Sequence, residues 1–549
     1  MAIVTFSLDD LKALGLSKED VKNAVDRLGM SIEGMDETEV AIDITPNRPD
    51  MLHITGFAKA VEYLLGKKVP KEKFYSVSRD SLLKVNVTGA VKRIQPYIAV
   101  AVIKNVDLQG SRLKNLVNFT EKFCDTYGRR RKKLSMGIYD FDHVSGQLTY
   151  DAESDAQFIP LGMTEKIGIQ KILKEHPKGK EYSGILGNAK KYPILRDSKG
   201  VLALIPIVNS ENTKVTEKTK NILVDITANS RYAAENAMNL VACTFMDMGA
   251  DVYPCQIIYK NKTVVTPELA YKQIKIKKSK AELTLGFWLQ DNKIINLVNK
   301  LGHVGAKYGN YTIVYVPPYR LDVMNVQDVI EDIAIAYGYE NIAPMPIVGS
   351  SIGKQDYLTD YMNRASRFMV GLGFSEAMNT YLTNEQLNFE KMGHKYEEKS
   401  IITVAYAKTE AITMLRTQIM PWLMENLEKS VHESMPQRLF EIGKVFHLEN
   451  DNVVEETSIA MISEHSRVNF SEMKAVVTQF LKFAGIENYK LEELTDSALI
   501  AGRAAKILVG KETVGYFGEV HPRILENFKL EEPVVAAEIN INKLLKARD

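Results

Sequence analysis

Apolar and polar positions repeat along this chain with two periods, and the switches between them mark its elements. LSKEDVKNAVDRLG (residues 16–29) has helical spacing, EVAIDIT (39–45) alternates with period two, and GFAKAVEYLLG (56–66) is helical again. Further on, ILVDIT (222–227) reads as a strand and RYAAENAMNLVACTFMDMG (231–249) as a dense helix. The C-terminal part mixes both patterns over 364–382, 415–434, 437–446 and 515–522. Its apolar and aromatic strand patterns suggest an antiparallel sheet covered by helices.

Three stretches interrupt these patterns: 66–80, basic and polar with a proline, 258–269, and 343–356, where two prolines combine with Gly and Ser. They divide the chain into four segments, about 1–75, 80–258, 262–345 and 350–549. A length of 549 residues is too much for one core, and the reading is a multidomain α+β protein.

Composition narrows the function only by exclusion. Hydrophobic residues at 45% and charged residues at 25% are ordinary globular values. A net charge of +1 argues against broad electrostatic binding of nucleic acid, so any RNA contact has to come from local basic patches. The three cysteines, Cys124, Cys243 and Cys255, have no CxxC spacing and read as reduced thiols, not as a disulfide framework or a zinc site. The start MAIVTFSLDDLKALG has acids where a signal peptide needs bases, and no run approaches a membrane span. The expectation is a soluble, cytoplasmic protein.

Four stretches carry candidate chemistry. TPNRPD (45–50) is a stiff polar turn in which Asp50 could cap the next helix. The bases Arg129 to Lys133 are either a solvated turn or, with Tyr127, a weak phosphate-and-base contact. In ILVDIT, Asp225 and Thr227 share one face, and the loop before it supplies Asn209, Ser210 and Glu211. Polar groups converging on a strand end make a pocket or simply caps and turns.

The fourth stretch, YRLDVMNVQDVIEDIAIAYGYENI (319–342), is acidic, and from Leu321 to Gly353 there is no Lys or Arg. Helical register puts Val326, Ile330, Ile333, Ala334 and Tyr337 on one face and Asp328, Glu331 and Asp332 on the other. Asn325 is a good N-cap, with Asp328 in the first turn. Capping does not account for Glu331 and Asp332, since like charges at this spacing repel by roughly 0.2–0.5 kcal/mol and no base follows to offset them. Asp322 could approach the same helix start. Four hard oxygen donors without His or Cys suit Mg²⁺ or a solvated face.

At these residues the chain resembles the beta-subunit family of phenylalanyl-tRNA synthetase. The acids match that family's D-x5-D-x2-E-[DE] pattern at Asp322, Asp328, Glu331 and Asp332. DITPNRPDMLHITGFAKAVEYLLG, YGRRRKKLSMGIYDFDHV, FIPL, EHPKGKEY, VNSENTKVTEKTKNILVDIT and LRTQIMP…QRLFEIGKVF follow in the family's order. The likeness covers nearly the whole chain and matches the shorter archaeal and eukaryotic type. It implies four parts: an N-terminal domain with the NRPD turn, an editing and tRNA-binding domain, a winged-helix-like magnesium-binding module, and a catalytically inert core similar to class II synthetases. It further implies Mg²⁺ as cofactor, bound by Asp322, Asp328, Glu331 and Asp332. Its implied partners are an alpha subunit, in a heterotetramer of two alpha and two beta chains, and phenylalanine tRNA.

Two details bear on chemistry. A Gly-rich GxGxxxR motif for ATP is absent, and GLGF (371–374) runs into Ser375 and Glu376. Adenylate formation needs arginines that neutralise phosphate charge, so no adenylation residue is expected in this chain, and phenylalanine activation falls to the alpha subunit. Hydrolysis of tyrosyl-tRNA, which a phenylalanine pocket cannot reject by size alone, falls to Asn209, Asp225 and Thr227 as carried over from the family. The family's usual PPIIN reads IPIVN here, with Ile205 in place of the first proline. No Ser–His or Cys–His pair stands in this region, which points to a positioned water as the attacking group. Two other readings stay open: an RNA-binding scaffold without enzymatic activity, and a deacylase acting without a partner.

Overall fold

The structure, a computed structural model, describes residues 2–70, 75, 77, 83–187, 189–347, 349, 351–396, 400–405, 407, 409 and 411–548. The boundary stretches 66–80 and 343–356 therefore lie partly outside the described residues. The chain forms two compact units, Met1–Pro346 and Ile347–Asp549. Among the described residues, no helix is long and apolar enough to cross a membrane.

Among its described residues the first unit contains three larger sheets and a two-stranded one, Gln157–Phe158 with Ile167–Gly168. Glu39–Ile44 is the centre of a three-stranded antiparallel sheet between Ala2–Ser7 and Ser31–Met35. Its alternation buries Val40, Ile42 and Ile44 under the helices. The NRPD turn follows. Asp50 does not cap the next helix: it is buried and takes two hydrogen bonds from Arg48, Nε at 3.0 Å and Nη2 at 2.8 Å. Helix Ile54–Leu64 is capped instead by His53, whose ring accepts from the Thr55 amide. Gly56 is required there, because a Cβ would collide with the Asp50 carbonyl.

The largest sheet has ten strands. Its order runs Val208–Asn209, Val201–Leu204, Tyr192–Arg196, Leu148–Glu153, Leu83–Val87, Asp251–Tyr259, Tyr97–Lys104, Ile222–Ala228 and Leu134–Asp140, with Lys262–Thr266 beside Asp251–Tyr259. The first and last strands of this order meet, so the sheet curls back on itself. Asn209 Nδ2 donates to the Ile138 carbonyl at 3.1 Å, and Arg131 Nη1 donates to the carbonyls of Pro206 and Ile207 at 2.8 and 3.0 Å. Arg131 is thus a structural clasp within the basic run, while Arg129, Arg130 and Lys132 are exposed. On the outer face, Ile222, Val224 and Ile226 pack with helix Arg231–Asp247 in one core. The inner face holds a second core of Val100, Val102, Tyr139, Tyr150, Ile205 and Leu223.

The third sheet, Lys272–Lys277, Tyr311–Val316 and Val304–Tyr308, packs with helices Asp291–Lys300 and Val326–Tyr337. In the second unit a seven-stranded sheet is built on the long hairpin Gln437–Glu449 and Asn452–Glu464. Its two-residue turn, Asn450 and Asp451, has positive φ at both positions (49° and 62°), the conformation that tight hairpins require. Helices Tyr357–Gly371, Phe470–Phe483 and Ile541–Arg548 cover one face, and Met420–Lys429 covers the other. The architecture is multidomain α+β.

Candidate functional site

The acidic stretch has its base after all, one residue upstream of the Lys- and Arg-free run. Arg320 follows the strand Tyr311–Val316 and turns its guanidinium inward, where it is buried. Its Nε and Nη2 grip Asp322 at 2.9 and 2.7 Å, Nη2 also reaches Asp332 at 2.8 Å, and Nη1 donates to the Leu301 carbonyl at 2.9 Å. His303 adds a 2.5 Å contact from Nε2 to Asp332. Burial would raise the Asp332 carboxyl, but Arg320 and His303 override it and hold the group far below its ordinary range. Burial pushes the imidazole of His303 down, which favours the neutral ring, and the contact with the Asp332 carboxylate calls for its proton on Nε2.

Two expectations are corrected here. Asp332 does not stand on the polar face of its helix: it is 4% exposed and lies among Val329, Ile333 and Ala336. Nor are the four carboxylates free to surround an ion. Asp322 and Asp332 are engaged by Arg320, and Asp328 Oδ2 accepts from the amides of Met324 (2.6 Å) and Asn325 (2.8 Å) in a capping box. Only Glu331 is exposed, and it makes no hydrogen bond or ion pair among the described residues. Burial and the neighbouring charges of Asp332, Asp328 and Asp322 raise its carboxyl. Among the described residues no group of three or more His, Cys, Asp or Glu is arranged to hold a metal.

The residues of ILVDIT lie inside the curled sheet. Strand Ile222–Ala228 pairs with Tyr97–Lys104 on one side and Leu134–Asp140 on the other, which sets Asp225 between Val100 and Gly137, and Thr227 between Ile98 and Ser135. Asp225 is 1% exposed and Thr227 is fully buried. The Tyr139 hydroxyl donates to Asp225 Oδ1 at 2.5 Å, and the hydroxyls of Ser135 and Thr227 meet at 2.8 Å. Burial lifts the Asp225 carboxyl to about 7, with the Tyr139 hydrogen bond pulling it the other way. A cavity of about 250 Å³ opens beside the end of this strand, lined by Gln95, Lys132, Leu186, Pro206 and Asn229. Gln95 ties it to the strand by donating from Nε2 to the Thr227 carbonyl at 3.3 Å.

Asn209 comes onto the adjoining strand, where its amide is bonded to Ile138, between Gly137 and Tyr139. It therefore holds the seam of the sheet next to Asp225, with its second N–H and its carbonyl oxygen left to offer. Ser135, Gly137 and Tyr139 were not singled out in the sequence, although their alternate spacing in SMGIYD was the available signal. Gly137 has a packing reason: a Cβ there would collide with both the Tyr139 hydroxyl and Asp225 Oδ1. Gly137→Ala is expected to destabilise the fold by about 1–3 kcal/mol, the usual range for overpacking. Urea denaturation of the two proteins measures it.

In the second unit, Arg416 of LRTQIMP is fully buried. Its Nη1 donates to Glu441 of LFEIGKVF at 2.6 Å and its Nε to the Lys444 carbonyl at 2.9 Å. This arginine neutralises a carboxylate of the seven-stranded sheet and, fully buried, is not open to a phosphate.

Comparison with known proteins finds three family domains in succession. Residues 98–242 match the B3/4 domain, 274–339 the tRNA synthetase B5 domain, and 343–541 the phenylalanyl tRNA synthetase beta chain CLM domain. The phenylalanine--tRNA ligase beta subunit of Archaeoglobus fulgidus is 34% identical over 546 residues, covering 99% of this chain and 98% of that one. That of Methanosphaera stadtmanae is 33% identical over 569 residues, covering 99% and 100%. Among solved structures, an N-terminal fragment of the phenylalanyl-tRNA synthetase beta-subunit from Pyrococcus horikoshii aligns with a TM-score of 0.59 and 30% identity, over 62% of this chain and all of the fragment.

Proposed function

The chain belongs to the family of phenylalanine--tRNA ligase beta subunits, and from that premise we propose a division of labour in which it proofreads while a separate alpha subunit activates phenylalanine. Membership places it in the aminoacyl-tRNA ligase class and in protein biosynthesis. In the proposed assembly, two alpha and two beta chains act on phenylalanine tRNA. Residues 80–258 form the editing domain, 262–345 a winged-helix-like module, and 350–549 an inert class II-like core, behind the N-terminal domain 1–75.

The observation that carries the editing reading is the Asp225 carboxylate inside the curled sheet, with one oxygen unbonded and a cavity at the end of its strand. A tyrosyl ester differs from a phenylalanyl ester by one hydroxyl. A buried acceptor reads that difference well, because the ligand lacking the hydroxyl leaves the acceptor unpaired. Asp225 would accept from the hydroxyl, Thr227 would fix the strand end through Ser135, and Asn209 would hold the seam behind them. Ser135 faces Thr227 and not a histidine, so water remains the proposed nucleophile for the ester.

Magnesium, which the resemblance implies, does not fit the four carboxylates as this chain arranges them, since Arg320 already neutralises two of them. A divalent ion meeting Glu331 would need ligands from outside the chain. A ligand present at a hundred times its Kd adds about 2.7 kcal/mol to stability. We expect no such gain for the purified chain, so its thermal unfolding in millimolar Mg²⁺ and in EDTA should coincide.

The division of labour is tested by phenylalanine-dependent exchange of pyrophosphate into ATP. The chain alone is expected to give none, because its core offers no phosphate-binding arginine at Arg416, and added alpha subunit should restore exchange. A rate from the lone chain near that of the complex would overturn the proposal. A scaffold would bind tRNA without any hydrolysis, and a freestanding deacylase would hydrolyse tyrosyl-tRNA fully without a partner.

A further inference from the structure

We propose that Tyr139 is a positioning residue of the Asp225 site, its hydroxyl fixing the carboxylate through Oδ1 so that Oδ2 is the oxygen offered to the hydroxyl of a tyrosyl ester. The inference rests on the editing reading above and names the residue that makes that reading work.

Three features of the strand Leu134–Asp140 carry it. Tyr139 is fully buried and lies diagonally across from Asp225, opposite Leu223 in the register. Gly137, directly opposite Asp225, leaves the lane across which the phenol reaches back to the carboxylate, and any side chain there would block it. The resulting bond is 2.5 Å long, within the range for a hydroxyl donating to a charged oxygen. Oδ2 makes no hydrogen bond among the described residues. The other nearby phenol, Tyr150, cannot substitute, because its hydroxyl donates to the Gln95 carbonyl at 2.8 Å.

The same bond governs charge. The titratable groups close enough for their charge to couple with Asp225 are Tyr139, Tyr150 on the strand Leu148–Glu153, and Cys124, which lies in the core on the other side of the sheet. Burial pushes all three up, so all are neutral at physiological pH and none supplies a positive charge. The Tyr139 hydrogen bond is then what opposes burial at Asp225 and keeps a share of the group as carboxylate near neutrality.

The test uses the assembled ligase and tyrosyl-tRNA, with hydrolysis followed across pH. Tyr139→Phe should raise KM for the tyrosyl ester about fivefold with little change in kcat, as for an interaction made equally in ground and transition states. It should also move the acid limb of the pH profile to higher pH, which a merely structural role would not do. Should Tyr139→Phe fold poorly, 3-fluorotyrosine at position 139 keeps the shape with a stronger donor and should move the limb to lower pH. An unmoved limb in either variant, with Asp225→Ala still impaired, overturns the role of Tyr139 and leaves editing standing. Unimpaired hydrolysis by Asp225→Ala overturns the editing reading itself, and this proposal with it.

Discussion

Arg320→Met is expected to destabilise the first unit by about 3–5 kcal/mol, the cost of leaving a buried ion network without its cation. The substitution keeps an unbranched side chain but removes every guanidinium donor that Asp322 and Asp332 now use, leaving Asp332 only the ring of His303. The buried Arg48–Asp50 pair is close enough to feel the change, since Asp50 strengthens the charge on Arg320 and Arg320 opposes that on Arg48. The pH dependence has a definite sign. Asp322 and Asp332 are held below their ordinary range, so their contribution is present above about pH 4 and is lost as pH falls. In the variant the same carboxylates are buried without a cation and gain by protonation. The deficit should therefore be largest near pH 7 and shrink below about pH 4. Urea unfolding of both proteins at pH 7 and pH 4 measures it, and a difference under about 1 kcal/mol at pH 7 would show that Arg320 is dispensable.

This network also shows where the sequence stops being legible. The helix Val326–Tyr337 and its Asn325 cap follow from periodicity and cap chemistry and are observed. The facing of Asp332 is not, because a helical wheel assigns a carboxylate to solvent unless a buried base is known to wait for it. Arg320 adjoins the acid-rich run in sequence, but nothing local says that it turns inward. Asp50 was misread as a cap for the same reason: Arg48 two residues earlier takes both of its oxygens. The NRPD and YRLD motifs are thus neighbours in space, a fact that neither contains alone.

In the curled sheet the balance differs. Alternation in ILVDIT placed Asp225 and Thr227 on one face, and that is the face the structure turns inward, with Ile226 in the opposite core. The pairing was beyond reach, since strands adjoining in space are separated by about ninety residues, as Gly137 and Asp225 are. Without the register, neither the need for Gly at 137 nor the partner at 139 could be inferred. In the second unit the burial of Arg416 depends on its neighbour strand, Gln437–Glu449, which no local spacing specifies.

Asp225→Ala is expected to slow hydrolysis of tyrosyl-tRNA by roughly one to two orders of magnitude while leaving phenylalanine charging nearly unchanged. A buried hydrogen bond lost from a recognition site is worth about 1–3 kcal/mol, and 1.4 kcal/mol is a factor of ten. Charging is expected to survive because the carboxylate is in the first unit, whereas activation is assigned to another chain. Folding should also survive: Asp225 accepts one side-chain bond, and burial has already raised its carboxyl to about 7, so an uncharged replacement removes a strained charge. A raised carboxyl of this kind favours folding at low pH and loses that contribution as pH rises toward 7, so the deficit of the variant, which leaves the Tyr139 hydroxyl unpaired, should be smallest above neutrality.

The measurement that most directly tests the account is the rate at which the assembled ligase clears tyrosine from preformed tyrosyl-tRNA, wild type beside Asp225→Ala, with phenylalanine charging followed in the same preparations. The account predicts a tenfold to hundredfold loss of clearance with charging intact. Equal clearance by the two enzymes would contradict it, and would leave Asp225 as no more than a buried acid held by Tyr139.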